Sequence, residues 1–216
     1  MKIETVQLNW DKPDIKRLHE IVGNEVAKRA IMIALAGSHE LVLLSTSRSP
    51  ASDLLQAASR MARENNWPFK GSVVPVCACG NYGNPREECI CSDATLQEYA
   101  RKIRPMFKRA AIIVEVIEPN QREYKYSSEQ EANIVAVVLA VRQDASILSL
   151  SGDAESCLKM AMTEIRCDRD KTIAVAMTIA KTDHCKTIQA QHIIEASQYQ
   201  HRHMANWVDD FERVEV

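Results

Sequence analysis

The sequence predicts an α/β fold, in which a short parallel sheet with its helices is followed by an all-helical unit. Up to residue 117, short apolar runs typical of strands alternate with segments of helical spacing. Within this part, Leu41–Leu44 (LVLL) is continuously apolar, as expected for a strand buried on both faces of a parallel sheet. From Glu118 onward, apolar residues recur every three or four positions, so helices alone are expected there.

The N-terminal segment is expected to contain two helices. One helical stretch begins near Pro13 and breaks at Gly23, whereas Lys2–Leu8 fits either a strand or a tail. Asn24 is expected to cap the next helix and Gly37 to end it. The residues expected on the buried face of this second helix are Val26, Ala27, Ala30, Ile31 and Ala34.

Two further pairs of helix and strand are expected to complete the sheet. The strand that begins at Val73 must end at Pro75 or lie at a sheet edge, because proline cannot donate a backbone hydrogen bond. Ala110–Ile117 (AAIIVEVI) supplies the third strand. The intervening helices start near Ser49 and Ser92. Their inner residues are Leu54, Ala58, Met61 and Ala62 in the first, and Leu96, Tyr99, Ala100 and Ile103 in the second.

Cap signals divide the remaining chain into helices. Ser128 and Glu131 are expected to form a capping box, and Asp153 and Asp168 to open two more helices. A last helix is expected from Ile188 to about His203. The inward-facing residues of these helices are Ile134, Val135, Val138, Val141, Leu158, Ala161, Met162, Ile165, Ile173, Ala176, Met177, Ala180, Ile193, Ile194, Ser197 and Tyr199.

Four of the seven cysteines lie in one loop, as two Cys-x-Cys pairs: Cys77, Cys79, Cys89 and Cys91. Turn-forming residues separate the pairs, namely Gly80, Asn81, Gly83, Asn84 and Pro85. A chain reversal there can bring four sulfurs to one point, which is the geometry of a tetrahedral thiolate site, and zinc is the expected metal. Free thiols, or two disulfides in an exported protein, are the alternatives. The other three cysteines lie on helical patterns and are expected to be core residues: Cys157, Cys167 and Cys185.

Charge and hydropathy restrict the partners and the compartment. The 27 basic and 29 acidic residues leave a net charge of −2, which demands no polyanionic partner. No apolar run in Met1–Asp14 indicates a signal peptide, and no later stretch has the length needed to span a bilayer, so a cytoplasmic protein without membrane contact is expected. Thiols stay reduced in the cytoplasm, which favours a metal site or free thiols over disulfides.

A local basic cluster lies beyond the cysteines. Its members are Arg101, Lys102, Arg104, Lys108 and Arg109. They fall at the end of a predicted helix and in the following turn, where cations complement the helix dipole. The alternative is a binding patch beside the four cysteines, for another protein subunit or for nucleic acid.

Several segments together resemble one known family. Val76–Ser92 (VCACGNYGNPREECICS) is similar to the four-cysteine insertion N-P-C-P-C-G-Y-x-G-D-P-x-R-E-C-x-C-S of the competence-protein ComM branch of the magnesium-chelatase-like AAA+ ATPases. Gly23–Ala30 and Gly37–Leu41 are similar to the family's G-Q-E-x-A-K-R-A and G-G-H-N-L segments, and the chain from Val175 to Tyr199 to its terminal pattern.

The resemblance implies an organisation into domains. Residues 1–118 would form a truncated AAA+-like three-layer core, residues 119–204 the helical lid domain, and residues 205–216 an acidic tail. The chain would be a shortened and degenerate member. Full-length members carry roughly a hundred further residues between the phosphate loop and the cysteines, including the acidic strand that holds magnesium, and this chain has no counterpart.

The phosphate loop of the family reads G-P-P-G-x-G-K-[ST], whereas this chain has Ser45–Ser52 (STSRSPAS) in its place. The glycines that let backbone N–H groups wrap the phosphates are absent, and Ala51 stands at the lysine position. Pro50 removes one backbone donor. Arg48 could supply charge and Ser52 remains as a possible magnesium ligand.

Other nucleotide-contacting positions also differ from the family. Pro75 replaces the asparagine that senses the γ-phosphate, and Cys167 replaces the arginine of the lid, with Arg166 and Arg169 as neighbours. Only Arg109 matches, at the position of the arginine that a family subunit offers to its neighbour's nucleotide. The aspartate that precedes it has become Lys108.

These differences predict a protein that is not an enzyme. Phosphoryl transfer depends on positioning and charge neutralisation, so the loss of the loop, the lysine and the acidic strand is expected to abolish ATP hydrolysis. The leading interpretation is a zinc-binding interaction or scaffold module that associates with itself or with an intact family ring. A DNA-binding module is the alternative, and a residual ATP-binding protein the second alternative; bound ATP and magnesium are not expected.

Overall fold

The computed structural model describes residues 16–84, 86–119 and 126–200. A short 3₁₀ helix, Leu18–Glu20, leads into α1, Glu25–Gly37. The elements that follow are β1 (Leu41–Ser45), α2 (Ala51–Glu64), β2 (Gly71–Pro75), α3 (Asp93–Arg109), β3 (Ile112–Val116), α4 (Ser128–Gln143), β4 (Ser149–Leu150), α5 (Gly152–Glu164), α6 (Arg169–Thr182), β5 (Thr187–Ile188) and α7 (Ala190–Gln198). None of the helices in these ranges combines the length and the apolar character needed to cross a membrane.

The first three strands form a parallel sheet in the order β2-β1-β3. Leu41 of the central strand is in register with Gly71 on one side and Ile112 on the other. The predicted fold class, an α/β core with a short parallel sheet, is thereby confirmed. The edge position of β2, with Pro75 as its last residue, agrees with the expectation for proline.

Helices cover both faces of this sheet and make it three-layered. Leu41 and Leu43 belong to a core shared with α1 and α2, whereas Val42 and Leu44 belong to a core shared with α3. All four residues are fully buried, which explains why β1 is apolar at every position.

The chain after β3 is not all-helical, contrary to the expectation from its periodicity. β4 and β5 pair in parallel, with Ser149 opposite Thr187, and Ser151 N–H donates to Ile188 O. Two-residue strands leave no periodic signal in a sequence. The last helix was expected to begin at Ile188, but this residue belongs to β5 and α7 begins at Ala190.

The helical segment shares one hydrophobic core with α1 and α2. α4 and α6 pack on α1, and α5 packs on α7. Polar contacts reinforce the junction, since Arg142 Nη1 donates to Leu35 O at 2.7 Å and Arg29 Nε donates to Glu195 Oε1 at 2.9 Å. The division into 1–118 and 119–204 stays a prediction, and the predicted tail, 205–216, lies outside the described residues.

Two predicted N-caps are displaced in the structure. Ser127 and Gln130, rather than Ser128 and Glu131, form the capping box of α4: Ser127 Oγ accepts from Gln130 N–H, and Gln130 Oε1 accepts from Ser127 N–H. Likewise, Ser151 rather than Asp153 caps α5. In both cases an alternative cap residue was available nearby in the sequence. The predicted caps of α3 and α6, Ser92 and Asp168, are confirmed.

The ends of α1 differ in their chemistry from the expected caps. Asn24 precedes the helix as predicted, but it is left-handed (φ 58°) and its side chain bonds the backbone of Ile117 instead. Gly37 is the last helical residue, and Ser38 takes the left-handed position (φ 57°). Gly37 serves close packing: a Cβ there would lie 2.5 Å from Thr178 Oγ1.

Several residues expected to face inward are exposed. Val26 is 64% exposed, Ile194 47% and Met162 39%. Each lies next to buried residues of the same helix, so the buried face of these helices is narrower than predicted. Of the helical stretch expected from Pro13, the described residues contain only the 3₁₀ turn, and Lys2–Leu8 lies outside them.

Candidate metal centre and the loop beside it

The four-cysteine loop, residues 76–92, leaves the sheet at the end of β2 and returns at the start of α3. Val76 N–H donates to Ser45 O at 2.9 Å, which continues the strand pairing up to the first cysteine. Gly80 (φ 83°) and Gly83 (φ 71°) adopt left-handed backbone that glycine tolerates without strain, and they reverse the chain. The second cysteine pair then lies opposite the first.

The fold brings the four predicted ligands together. All four Sγ atoms lie within 4.8 Å of one another. The Sγ–Sγ distances are 3.4 Å for Cys77–Cys79, 3.7 Å for Cys77–Cys89 and 3.6 Å for Cys79–Cys89. Zinc–sulfur bonds of about 2.3 Å in a tetrahedron place sulfurs about 3.8 Å apart, so the donor set fits a four-thiolate metal site.

The surroundings of the cluster match those of a structural metal site. Cys77 is buried, the other three cysteines are half-buried, and none of the four is in a disulfide. Tyr82 N–H donates to Cys77 Sγ at 3.3 Å, a contact that supports a thiolate. Four protein sulfurs would fill a tetrahedral shell, so no open position remains for substrate or water.

The thiols differ in acidity. Burial raises the pKa of Cys89 to about 12 and also raises the pKa of Cys91. Burial opposes ionisation of Cys79 as well, but N–H groups of Asn81 and Ile90 and neighbouring thiols outweigh it and lower its pKa to about 6. A divalent cation would supply the charge that holds four thiolates together, and its binding would release protons.

The β1–α2 loop occupies the position of a phosphate loop between a buried strand and a helix. Two of its backbone donors bond to other backbone groups: Ser47 N–H donates to Gly80 O at 2.9 Å, and Ser49 N–H to Thr46 O at 3.2 Å. Ala51 is buried at the start of α2, whereas Ser52 is exposed. The four-cysteine loop therefore lies directly against this segment.

An ion pair joins the same two loops. Arg48 has a left-handed backbone (φ 63°), and its Nη2 lies 2.7 Å from Glu87 Oε1. Arg86 of the four-cysteine loop also reaches Glu118 Oε2 at 2.7 Å, beyond the end of β3. The loop is thus fastened at the carboxyl end of each strand of the sheet. Sequence reasoning missed Glu87, because nothing in its local pattern indicates the contact with Arg48.

The basic cluster is spread along the second half of α3. Arg101, Lys102, Lys108 and Arg109 are exposed and Arg104 is half-buried. Because α3 starts at the cysteines and its 17 residues extend over about 25 Å, its last residues lie at the opposite end of the sheet. The expectation that the whole cluster lies beside the cysteines was therefore wrong for Lys108 and Arg109.

Lys102 and Arg109 of this cluster each pair with a carboxylate. Lys102 contacts Glu98, and Arg109 Nε lies 3.4 Å from Glu40 Oε1.

Of the cysteines outside the loop, Cys167 is buried and Cys157 and Cys185 are half-buried, in line with the prediction of packing roles.

A comparison with protein families gives one match. Residues 43–124 match the family described as magnesium chelatase, subunit ChlI. The match contains the β1–α2 loop, the four-cysteine loop and α3, and it supports a magnesium-chelatase-like AAA+ relationship for this part of the chain. No curated protein matches the chain.

Proposed function

We propose that this protein is a degenerate, ComM-like member of the magnesium-chelatase-like group that hydrolyses no ATP and acts as a zinc-bearing interaction module. The observation that carries the proposal is the contact between Ser47 N–H and Gly80 O, together with the Arg48–Glu87 pair. Groups that would face a phosphate instead hold the four-cysteine loop.

The chemistry of the β1–α2 loop supports the absence of hydrolysis. A phosphate loop needs several free backbone N–H groups and a lysine. Here Pro50 has no N–H, Ala51 carries no charge, and Arg48 is 2.7 Å from a carboxylate. Phosphoryl transfer draws its rate from such positioned charges, so their loss removes the reaction.

The metal centre supports a structural role in the same module. Zinc, when bound, would supply a closed tetrahedral crosslink, held by Cys77, Cys79, Cys89 and Cys91. That crosslink would fix the loop that covers the carboxyl ends of the strands. The partner would be a second copy of this chain or an intact ring of the same family, approached through faces such as that of Arg109, which is 60% exposed.

Calorimetry and light scattering test the proposal. Titration with ATP and magnesium is expected to give no heat of binding, and steady-state assays no hydrolysis above buffer. Light scattering is expected to show more than one chain per particle; a monomer would leave only the ring as partner. Magnesium-dependent micromolar binding, or hydrolysis that an Arg109→Ala variant abolishes, would contradict the proposal.

A further inference from the structure

A groove opens at the end of the sheet opposite the four-cysteine loop. Its volume is about 640 Å³, and six of its lining residues carry the argument: Glu40, Arg63, Trp67, Phe69, Lys70 and Arg109. They come from the amino ends of β1, β2 and β3 and from the end of α2. This volume lies within the range of pockets that hold small organic ligands.

Positive charge dominates the groove. Arg63, Lys70 and Arg109 contribute three cations against the single carboxylate of Glu40. Glu40, which lies 3.4 Å from Arg109 Nε, cancels one of these charges and leaves an excess of two cations. The C-terminal ends of α2 and α3 add roughly half a negative charge each, which is smaller than the excess of cations. The groove therefore attracts anions although the whole chain carries a net charge of −2.

Two aromatic rings form one wall of the groove. Trp67 and Phe69 are half-buried and pack against the core on one side. Gly71 makes room for the ring of Phe69: a Cβ on this residue would lie 2.8 Å from Phe69 Cζ. The wall is thus held in place by packing, and it offers ring surface to a ligand beside the cations.

We propose that this groove binds a nucleoside monophosphate unit, either free or as part of a single-stranded polynucleotide. The base would stack on the aromatic wall, and the phosphate would be held by Lys70 and Arg109. Stacking and charge together account for both kinds of side chain in the lining. The site is separate from the β1–α2 loop and needs no magnesium.

Fluorescence in magnesium-free buffer tests the proposal. Binding of dTMP, or of an oligothymidylate of about twelve nucleotides, is expected to quench tryptophan emission, and Trp67→Phe is expected to remove that quenching while keeping the fold. Lys70→Glu is expected to weaken binding about tenfold or more. Arg101→Glu is the matched control, because it makes the same charge change on α3 outside the groove.

The two probes distinguish the sources of the ligand. Tighter binding of the oligonucleotide, falling steeply with salt, indicates a polynucleotide, and equal binding of both probes indicates a free nucleotide. The proposal would be overturned if neither dTMP nor the oligonucleotide binds. An Arg101→Glu variant, folded by circular dichroism, that loses as much affinity as Lys70→Glu would also overturn it. Neither outcome bears on ATP hydrolysis, because the assay contains no ATP or magnesium.

Discussion

At the scale of single residues, the sequence indicates the four cysteines as metal ligands but not the contacts that hold their loop in place. Their positions were predictable from the Cys-x-Cys spacing and the glycines between the pairs. The contacts of the loop that carries them were not predictable. Gly80 O accepts from Ser47 N–H, and Glu87 pairs with Arg48, only because the folded sheet brings the two loops together. A sequence motif thus indicates which atoms can bind a metal, but tertiary contacts decide what the loop covers.

Removal of one sulfur tests whether the four cysteines bind a metal ion or only pack against one another. Cys91→Ser is expected to reduce zinc from about one ion per chain to a small fraction, since three thiolates hold zinc less tightly than four. Chelator should lower the melting temperature of the wild-type protein but barely change that of the variant. Zinc is measured by elemental analysis after dialysis.

Cys157→Ser is the matched control, because Cys157 is half-buried in α5 and not part of the cluster. This variant should retain its zinc and its sensitivity to chelator. Wild-type protein that is purified without chelator and contains no zinc would contradict the assignment of a zinc site.

At the scale of elements, the strands and most helices followed from periodicity, and the errors arose where local signals overlap. β1 was predictable because every position from Leu41 to Leu44 is buried. The start of α4 was off by one residue because Ser127-x-x-Gln130 and Ser128-x-x-Glu131 both read as capping boxes. Tertiary structure decides between them: Glu131 accepts from His19 N–H at 2.9 Å, which leaves Gln130 to complete the box.

Adjacent serines make this cap testable. Ser127→Ala is expected to lower the free energy of unfolding by about 1 kcal/mol, because Gln130 N–H would lose its acceptor at the end of α4. Ser128→Ala, one residue later and exposed, is expected to change it by less than about 0.5 kcal/mol. Urea unfolding followed by circular dichroism measures both. Equal losses in the two variants would show that Ser127 does not cap the helix.

At the scale of the whole molecule, the α/β layer and the helical segment are joined by a polar clamp as well as by the core. Arg29 of α1 donates from Nε and Nη2 to the two carboxylate oxygens of Glu195, at 2.9 Å and 3.1 Å. Tyr199 O–H donates to the same carboxylate. Burial raises the pKa of Glu195, but the bonds from Arg29 and Tyr199 outweigh it and leave the pKa below 4.5.

This clamp predicts a pH-dependent contribution to stability. A carboxyl group with a depressed pKa in the folded state stabilises the protein above the unfolded value of 4.5, and the contribution is lost as pH falls through the folded pKa. Glu195→Gln keeps the shape and the acceptor for Tyr199 but removes the charge that faces Arg29. Both partners are about one-third exposed, so the expected loss near pH 7 is about 1–2 kcal/mol.

Urea unfolding across pH gives the decisive comparison between the Glu195→Gln variant and the wild-type protein. Their stabilities should differ near neutrality and converge in acid, where Glu195 itself is protonated. Glu64→Gln is the control, because Glu64 forms an exposed pair with Arg60 within one helix and should cost about 0.5 kcal/mol or less. If Glu195→Gln costs no more than this control at neutral pH, the Arg29–Glu195 pair does not stabilise the junction, which would then depend on the shared hydrophobic core and on other polar contacts such as Arg142 to Leu35 O.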